Sequence, residues 1–148
     1  MNKYVGVKLI EAEPMKLGDY NKFKGWQMPL DEHPLREGYK VVYPDGYVSW
    51  SPKEVFEKAY MRVGQNNTIE ERNVNDFIKE YDIQQWGDKT TIVTATLANG
   101  FIMTESSSCV DPANFNMDIG ANICKERIQN RAWGMLGFVL QSGVNGIK

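Results

Sequence analysis

The pair Asn99-Gly100 constrains this chain more than any other two residues. Both residue types accept positive φ, which a tight type I′ turn requires at its two central positions, so the flanking runs are committed to an antiparallel hairpin. Residues 92–97 alternate apolar and small polar side chains and are rich in β-branched types, the pattern of a half-buried strand. The second strand then begins at Phe101. A two-residue loop sets Ala98 opposite Phe101, Leu97 opposite Ile102 and Thr96 opposite Met103. In that register Val93, Ala95, Leu97, Ile102 and Thr104 form the core face. Thr94, Thr96, Phe101, Met103 and Glu105 form a mixed face suited to a subunit contact or a ligand.

Beyond the hairpin, residues 106–115 (SSSCVDPANF) read as an irregular elbow, because Pro112 biases Asp111 away from helix and the polar side chains supply loop hydrogen bonds. A long helix follows, from Met117 to about Gln141, with Asn116 as its N-cap and Gly143 as its stop. Ala121, Cys124, Ile128, Ala132, Met135 and Val139 form one apolar stripe, and Trp133, Leu136 and Leu140 flank it. A helix apolar over more than one face needs cover from more than one side, and a second subunit is a natural source. Arg127 and Arg131 stand one turn apart on the other flank. Like charges at that spacing repel on an isolated helix. Two settings offset this: a solvated edge where Glu126 and nearby carboxylates neutralise them, or an anion or base held by the guanidinium groups.

Several function classes are disfavoured by composition. A net charge of −2 supplies no basic field for duplex DNA or RNA. No apolar run approaches the ~20 residues of a membrane span, and the N-terminus lacks the pattern of a secretory leader, so a cytoplasmic protein is expected. His33 is the only histidine and lies in a polar loop, which argues against a histidine-built metal site. Cys109 and Cys124 form no CxxC pair and read as free thiols. A cysteine nucleophile would lack a histidine partner, and no glycine-rich phosphate loop accompanies the carboxylates. The expectation is a binding protein, not an enzyme, with no cofactor and no metal.

The preceding chain reads as a smaller unit over residues 1–63. Residues 4–10 alternate as a strand, residues 17–24 as a short helix carrying Leu17, Tyr20 and Phe23, and residues 39–43 and 47–50 as a hairpin about Pro44-Asp45-Gly46. Ser51-Pro52-Lys53-Glu54 has capping-box spacing with proline at the first helical position, which starts a second helix. Tyr43, Tyr47, Trp50 and Trp26 either line a shallow groove or staple a small core. Residues 64–89 read as a linker with a short helix, and residues 90–148 as the hairpin, elbow and long helix. The fold class is α+β: small antiparallel sheets packed on a long C-terminal helix, in an oligomer.

The segment containing Asn99-Gly100-Phe101, Glu105-Ser106, Cys109-Val110-Asp111-Pro112, Asn114-Phe115, Gly120 and a helix ending in an aromatic-leucine-glycine cluster resembles the gene product 49/66-like family of small phage proteins. Ser107-Ser108 lengthen the elbow relative to that pattern. The family is similar to the phage-encoded Thoeris anti-defence (type one) sponge proteins. The resemblance implies a phage protein acting in the infected bacterial cell. It would bind a cyclic nucleotide immune signal, a cyclic ADP-ribose isomer or a cyclic di- or trinucleotide, and sequester it uncleaved. It implies a homo-oligomer, a dimer or higher and up to a hexamer, with pockets near subunit contacts. The ligand-binding residues expected by position are Phe101, Arg127 and Arg131, with Thr104, Ser106 and Asn114 as polar neighbours. The competing expectation is an interaction module that acts on a host protein through the aromatic N-terminal surface.

Overall fold

Six strands and four helices succeed one another along residues 1–148 of the computed structural model. They are β1 (Glu11–Pro14), α1 (Leu17–Lys24), β2 (Gly38–Val42), β3 (Val48–Pro52), α2 (Lys53–Ala59), α3 (Glu71–Phe77), β4 (Ile78–Trp86), β5 (Thr90–Leu97), β6 (Ile102–Ser108) and α4 (Met117–Asn145). The fold is α+β, with two three-stranded antiparallel sheets and a long C-terminal helix. The chain divides into two units, Val63–Gln141 and Met1–Arg62 with Ser142–Lys148.

In the Val63–Gln141 unit the sheet runs β4-β5-β6, and α4 covers one face of it. Every second residue of β5 is buried: Thr91, Val93, Ala95 and Leu97. They meet Ala121, Cys124, Ile128, Ala132 and Leu136 of α4, which recur at spacings of three and four and so share one helical stripe. Val74 of α3, Ile78 of β4 and Met103 of β6 close this core. The segment expected to be a linker thus carries both α3 and a nine-residue edge strand, β4. Asn116 caps α4 as expected, its Oδ1 accepting from the Asp118 and Ile119 N–H groups.

Three expectations for the β5–β6 hairpin and α4 are corrected. The hairpin loop has three residues, Ala98, Asn99 and Gly100, because Leu97 N–H donates to the Phe101 carbonyl and Gly100 N–H to the Leu97 carbonyl. Only Gly100 has positive φ, at 85°, so the turn is a type I turn closed by a glycine bulge. Thr96 therefore faces Ile102 and Ala95 faces Met103. This one-residue slip moves all of β6 to the other face: Met103 is buried, while Ile102 is 59% exposed. Secondly, the stripe of α4 continues through Leu136, and Val139 is exposed. A 29-residue helix spans about 44 Å, whereas the eight residues of β5 span about 27 Å, so the helix outruns the sheet that would bury its last turns. Thirdly, α4 passes through Gly143 and stops at Gly146, whose φ is 84° and whose N–H donates to the Ser142 carbonyl.

In the other unit β1-β2-β3 form a sheet, and α1 matches its expected bounds. Gly25, at φ 72°, ends α1, and its N–H and that of Trp26 close on the Lys22 and Asn21 carbonyls. The apolar contact that accompanies such an end is Trp26 against Tyr20, with ring centroids 6.0 Å apart. The strand expected over residues 4–10 is absent; β1 begins at Glu11. α2 starts at Lys53 without the expected Ser51 cap; the capping box lies instead at α3, between Glu70 and Asn73. The aromatic residues pair off locally, and Tyr43 and Tyr47 line a concavity that includes neither Trp26 nor Trp50. The Trp50 indole donates to the Met15 carbonyl at 2.7 Å, Tyr43 stacks on Tyr47, and Tyr39 stacks on Phe56.

Candidate ligand-binding site

The two arginines of α4 lie against the outer edge of β6. Leu97 bonds Phe101 across the hairpin, so the backbone groups of Met103, Glu105 and Ser107 turn toward β5 and those of Thr104 and Ser106 turn outward. Arg127 Nη1 donates to the Ser106 carbonyl at 2.8 Å, and Arg131 Nη1 donates to the Thr104 carbonyl at 3.5 Å. The match is geometric. Arginines four residues apart on a helix are separated by about 6 Å along its axis, and outward carbonyls two residues apart on a strand by about 6.8 Å. Rising helix number meets falling strand number, so α4 runs antiparallel to β6.

Arg131 also pairs with Glu105, at 3.2 Å to Oε1. Glu105, absent from the residues expected at the site, thus sets the charge of this margin; its side chain is 23% exposed. Arg127, unlike Arg131, has no carboxylate within salt-bridge distance. Its positive field opposes the effect of burial, which is the larger influence and raises the pKa of the Cys124 thiol. A guanidinium has five N–H donors in a plane. The bond of Arg127 to Ser106 leaves others for an anion while holding the group in place.

Strand alternation sorts the remaining expected residues. Phe101 shares the helix side of the sheet with Met103 and Glu105, and it is 52% exposed. It lies three strand residues from Thr104, about 10 Å from the point where Arg131 is anchored. Phe101, Arg127 and Arg131 are therefore brought to one margin. The Thr104 and Ser106 side chains point to the opposite face, where Thr104 Oγ1 meets Thr94 Oγ1 at 3.3 Å, so these residues offer the arginines carbonyls and not hydroxyls. Asn114 sits in a 3-10 turn over Pro112–Asn114, held by its N–H to the Asp111 carbonyl. Arg127 lies ten residues beyond the start of α4, about 15 Å along the helix, and nothing joins Asn114 to the arginines.

Other candidate chemistry is dispersed. The His33 Nδ1 accepts from the Leu35 N–H within its loop. Nowhere do three or more histidine, cysteine or acidic side chains converge as a metal would need. No helix is long and apolar enough to cross a membrane. One concavity of about 510 Å³ is lined by Lys8, Tyr43, Pro44, Asp45 and Tyr47. Another, of about 540 Å³, lies between Met15, Tyr39, Lys53 and Glu57. Neither includes any residue of the arginine margin.

No curated protein and no solved structure matches the chain. The model of one family matches residues 55–144, which include α3, the whole β4-β5-β6 sheet, and α4 through the residue before its last. The protein belongs to the phage protein (N4 Gp49/phage Sf6 gene 66) family.

Proposed function

We propose that this phage protein is a non-catalytic sponge that binds a cyclic nucleotide signal of the host's defence, such as a cyclic ADP-ribose isomer, and holds it uncleaved. The observation that carries the reading is the margin of α4 and β6. There Arg127 and Arg131 are fixed at a spacing of one turn, with the half-exposed ring of Phe101 on the same side. A pyrophosphate needs guanidinium donors, and a base needs a ring or guanidinium face. The resemblance to the anti-defence sponges supplies the ligand class. The margin is open on a single chain, and in this reading a second copy closes over it. Trp133, exposed by 38%, and the half-buried Leu140 two turns on share one side of α4 and form the subunit contact.

The test is to mix the purified protein with cyclic ADP-ribose isomers and cyclic oligonucleotides, measure binding by calorimetry, then heat the complex and recover the ligand. Intact ligand in the supernatant supports a sponge, altered product an enzyme, and no binding the interaction module. Arg127→Ala is expected to weaken binding about tenfold or more, since a hydrogen bond to a charged group contributes roughly 1.5–3 kcal/mol. Unchanged affinity in Arg127→Ala, Arg131→Ala and Phe101→Ala alike would remove the site. Light scattering on a sizing column tests assembly: a strict monomer at micromolar concentration overturns the α4 contact.

A further inference from the structure

Residues 1–10 have strand-like alternation yet belong to no strand. Tyr4 and Val5 are 90% and 80% exposed. The arm is tied at its root, where Leu9 N–H donates to the Gly143 carbonyl at 3.3 Å and the Lys8 ammonium lies 5.6 Å from the Tyr43 ring centroid. No backbone hydrogen bond is made by residues 1–8, and a half-apolar segment with unpaired backbone is what a sheet edge accepts.

The sheet β4-β5-β6 has two edges, and they differ. Arg127 and Arg131 occupy the outward carbonyls of β6. The outer edge of β4 is uncovered. Glu80, Asp82, Gln84 and Trp86 lie opposite Thr96, Thr94, Ile92 and Thr90, whose backbone groups turn away from β6, so Tyr81, Ile83 and Gln85 present their N–H and carbonyl groups outward.

We propose that residues 4–8 of one copy add as an antiparallel strand to β4 of a second copy, with Tyr4 opposite Trp86 and Lys8 opposite Asp82. In this register Val5 and Val7 exchange backbone hydrogen bonds with Gln85 and Ile83. Val7 adds to the helix side of the sheet beside Ile83, which already packs on the core. On the other side Tyr4 covers Trp86, itself 71% exposed, and Lys8 meets Asp82, a carboxylate now bonded only to the neighbouring Gln84 amide. Aromatic and opposite-charge pairs directly across strands are the favourable ones. A slip of one residue turns Val5 and Val7 to the wrong face, and a slip of two separates the rings. The addition ends naturally at both partners: a bulge between Ile78 and Glu80 breaks the β4 edge, and Leu9 is held at Gly143.

The experiment mixes two single variants, Gly6→Cys and Gln84→Cys, each in a Cys109→Ser background, under oxidised glutathione. Positions 6 and 84 form a non-hydrogen-bonded pair, the geometry in which cross-strand thiols reach disulfide distance. Nothing lies within 4 Å of where a Gly6 side chain would stand, and Gln84 is exposed, so both variants keep the fold. The expected result is a disulfide joining the two different chains, at least tenfold above a Lys3→Cys control, and mapped by mass spectrometry to peptides containing positions 6 and 84. Asp82→Lys is expected to lower the yield and Lys8→Asp in the other chain to restore it. No product above the control overturns the proposal. So does a link that forms only within one chain when both substitutions are placed together.

Discussion

Gly120 illustrates how one residue fixes the distance between layers. It sits in the first turns of α4 over Thr91 of β5, and a Cβ there would run into the Thr91 hydroxyl and its Cβ, which a β-branched residue cannot move aside. Thr91 is fully buried, and its Oγ1 has no hydrogen-bond partner. Gly120→Ala is therefore expected to destabilise the protein by about 1–3 kcal/mol despite the better helix propensity of alanine, as overpacking does. Thr91→Val is expected to leave stability unchanged or raise it by about 1 kcal/mol, because an unpaired buried hydroxyl is removed at constant shape. Urea denaturation of both variants measures the two effects. The cysteines give a second residue-level test. Cys124 is buried, and burial pushes its thiol pKa up, whereas Cys109 is partly exposed in the elbow. A thiol reagent is expected to titrate one group in the native protein and two in denaturant.

At the scale of elements, the sequence was most readable where one residue type answers one backbone need. The Asn116 cap followed from that logic. The β5–β6 hairpin was also legible, but its register was not. The sequence Ala98-Asn99-Gly100-Phe101 suits a two-residue or a three-residue loop, and the choice lies in how the Asn99 side chain is used. Asn99 Oδ1 accepts the Phe101 N–H, just as Asp45 Oδ1 accepts the Tyr47 N–H in the turn between β2 and β3. Both loops share the order Asx-Gly-aromatic, and both have the three-residue form. The arginine pair was legible as an unusual spacing, but its anchorage was hidden, because the outward carbonyls of β6 depend on that register. Arg127 and Arg131 therefore hold a structural position whatever they bind: they cover an edge strand that would otherwise pair with other chains. The double variant Arg127→Ala/Arg131→Ala is expected to keep its far-ultraviolet circular dichroism and to self-associate more readily. Sedimentation at rising concentration separates that effect from loss of ligand.

For the whole molecule, the decisive feature is that the main core lies entirely within Val63–Gln141, while Leu17, Tyr20 and Val41 are buried in the other unit. Composition does not reveal this division, since both parts mix apolar and charged residues; the sheet order does, because β4 turns out to belong with β5. The tyrosines allow the units to be told apart in solution. Tyr20, Tyr39 and Tyr60 belong to the N-terminal unit, and all three have pKa values raised above the ordinary 10.0: Tyr20 and Tyr60 chiefly by burial, Tyr39 chiefly by its hydrogen bond to Glu57. In the other unit burial raises Tyr81, against the opposing effect of a hydrogen bond with Gln129. A raised folded-state pKa means that the unfolded chain loses its proton first. The associated stability is complete below pH 10 and is lost as pH rises through the folded values. With the smaller buried core and three such groups, the N-terminal unit is expected to be the more alkali-sensitive. In a titration from pH 9 upward, followed by phenolate absorbance and by the amide exchange of each unit, protection is expected to fail first in β1-β2-β3 and α1. It is expected to persist to higher pH in β5 and the middle of α4. Simultaneous loss in both units would mean that they unfold as one cooperative body and that the separate cores do not act separately.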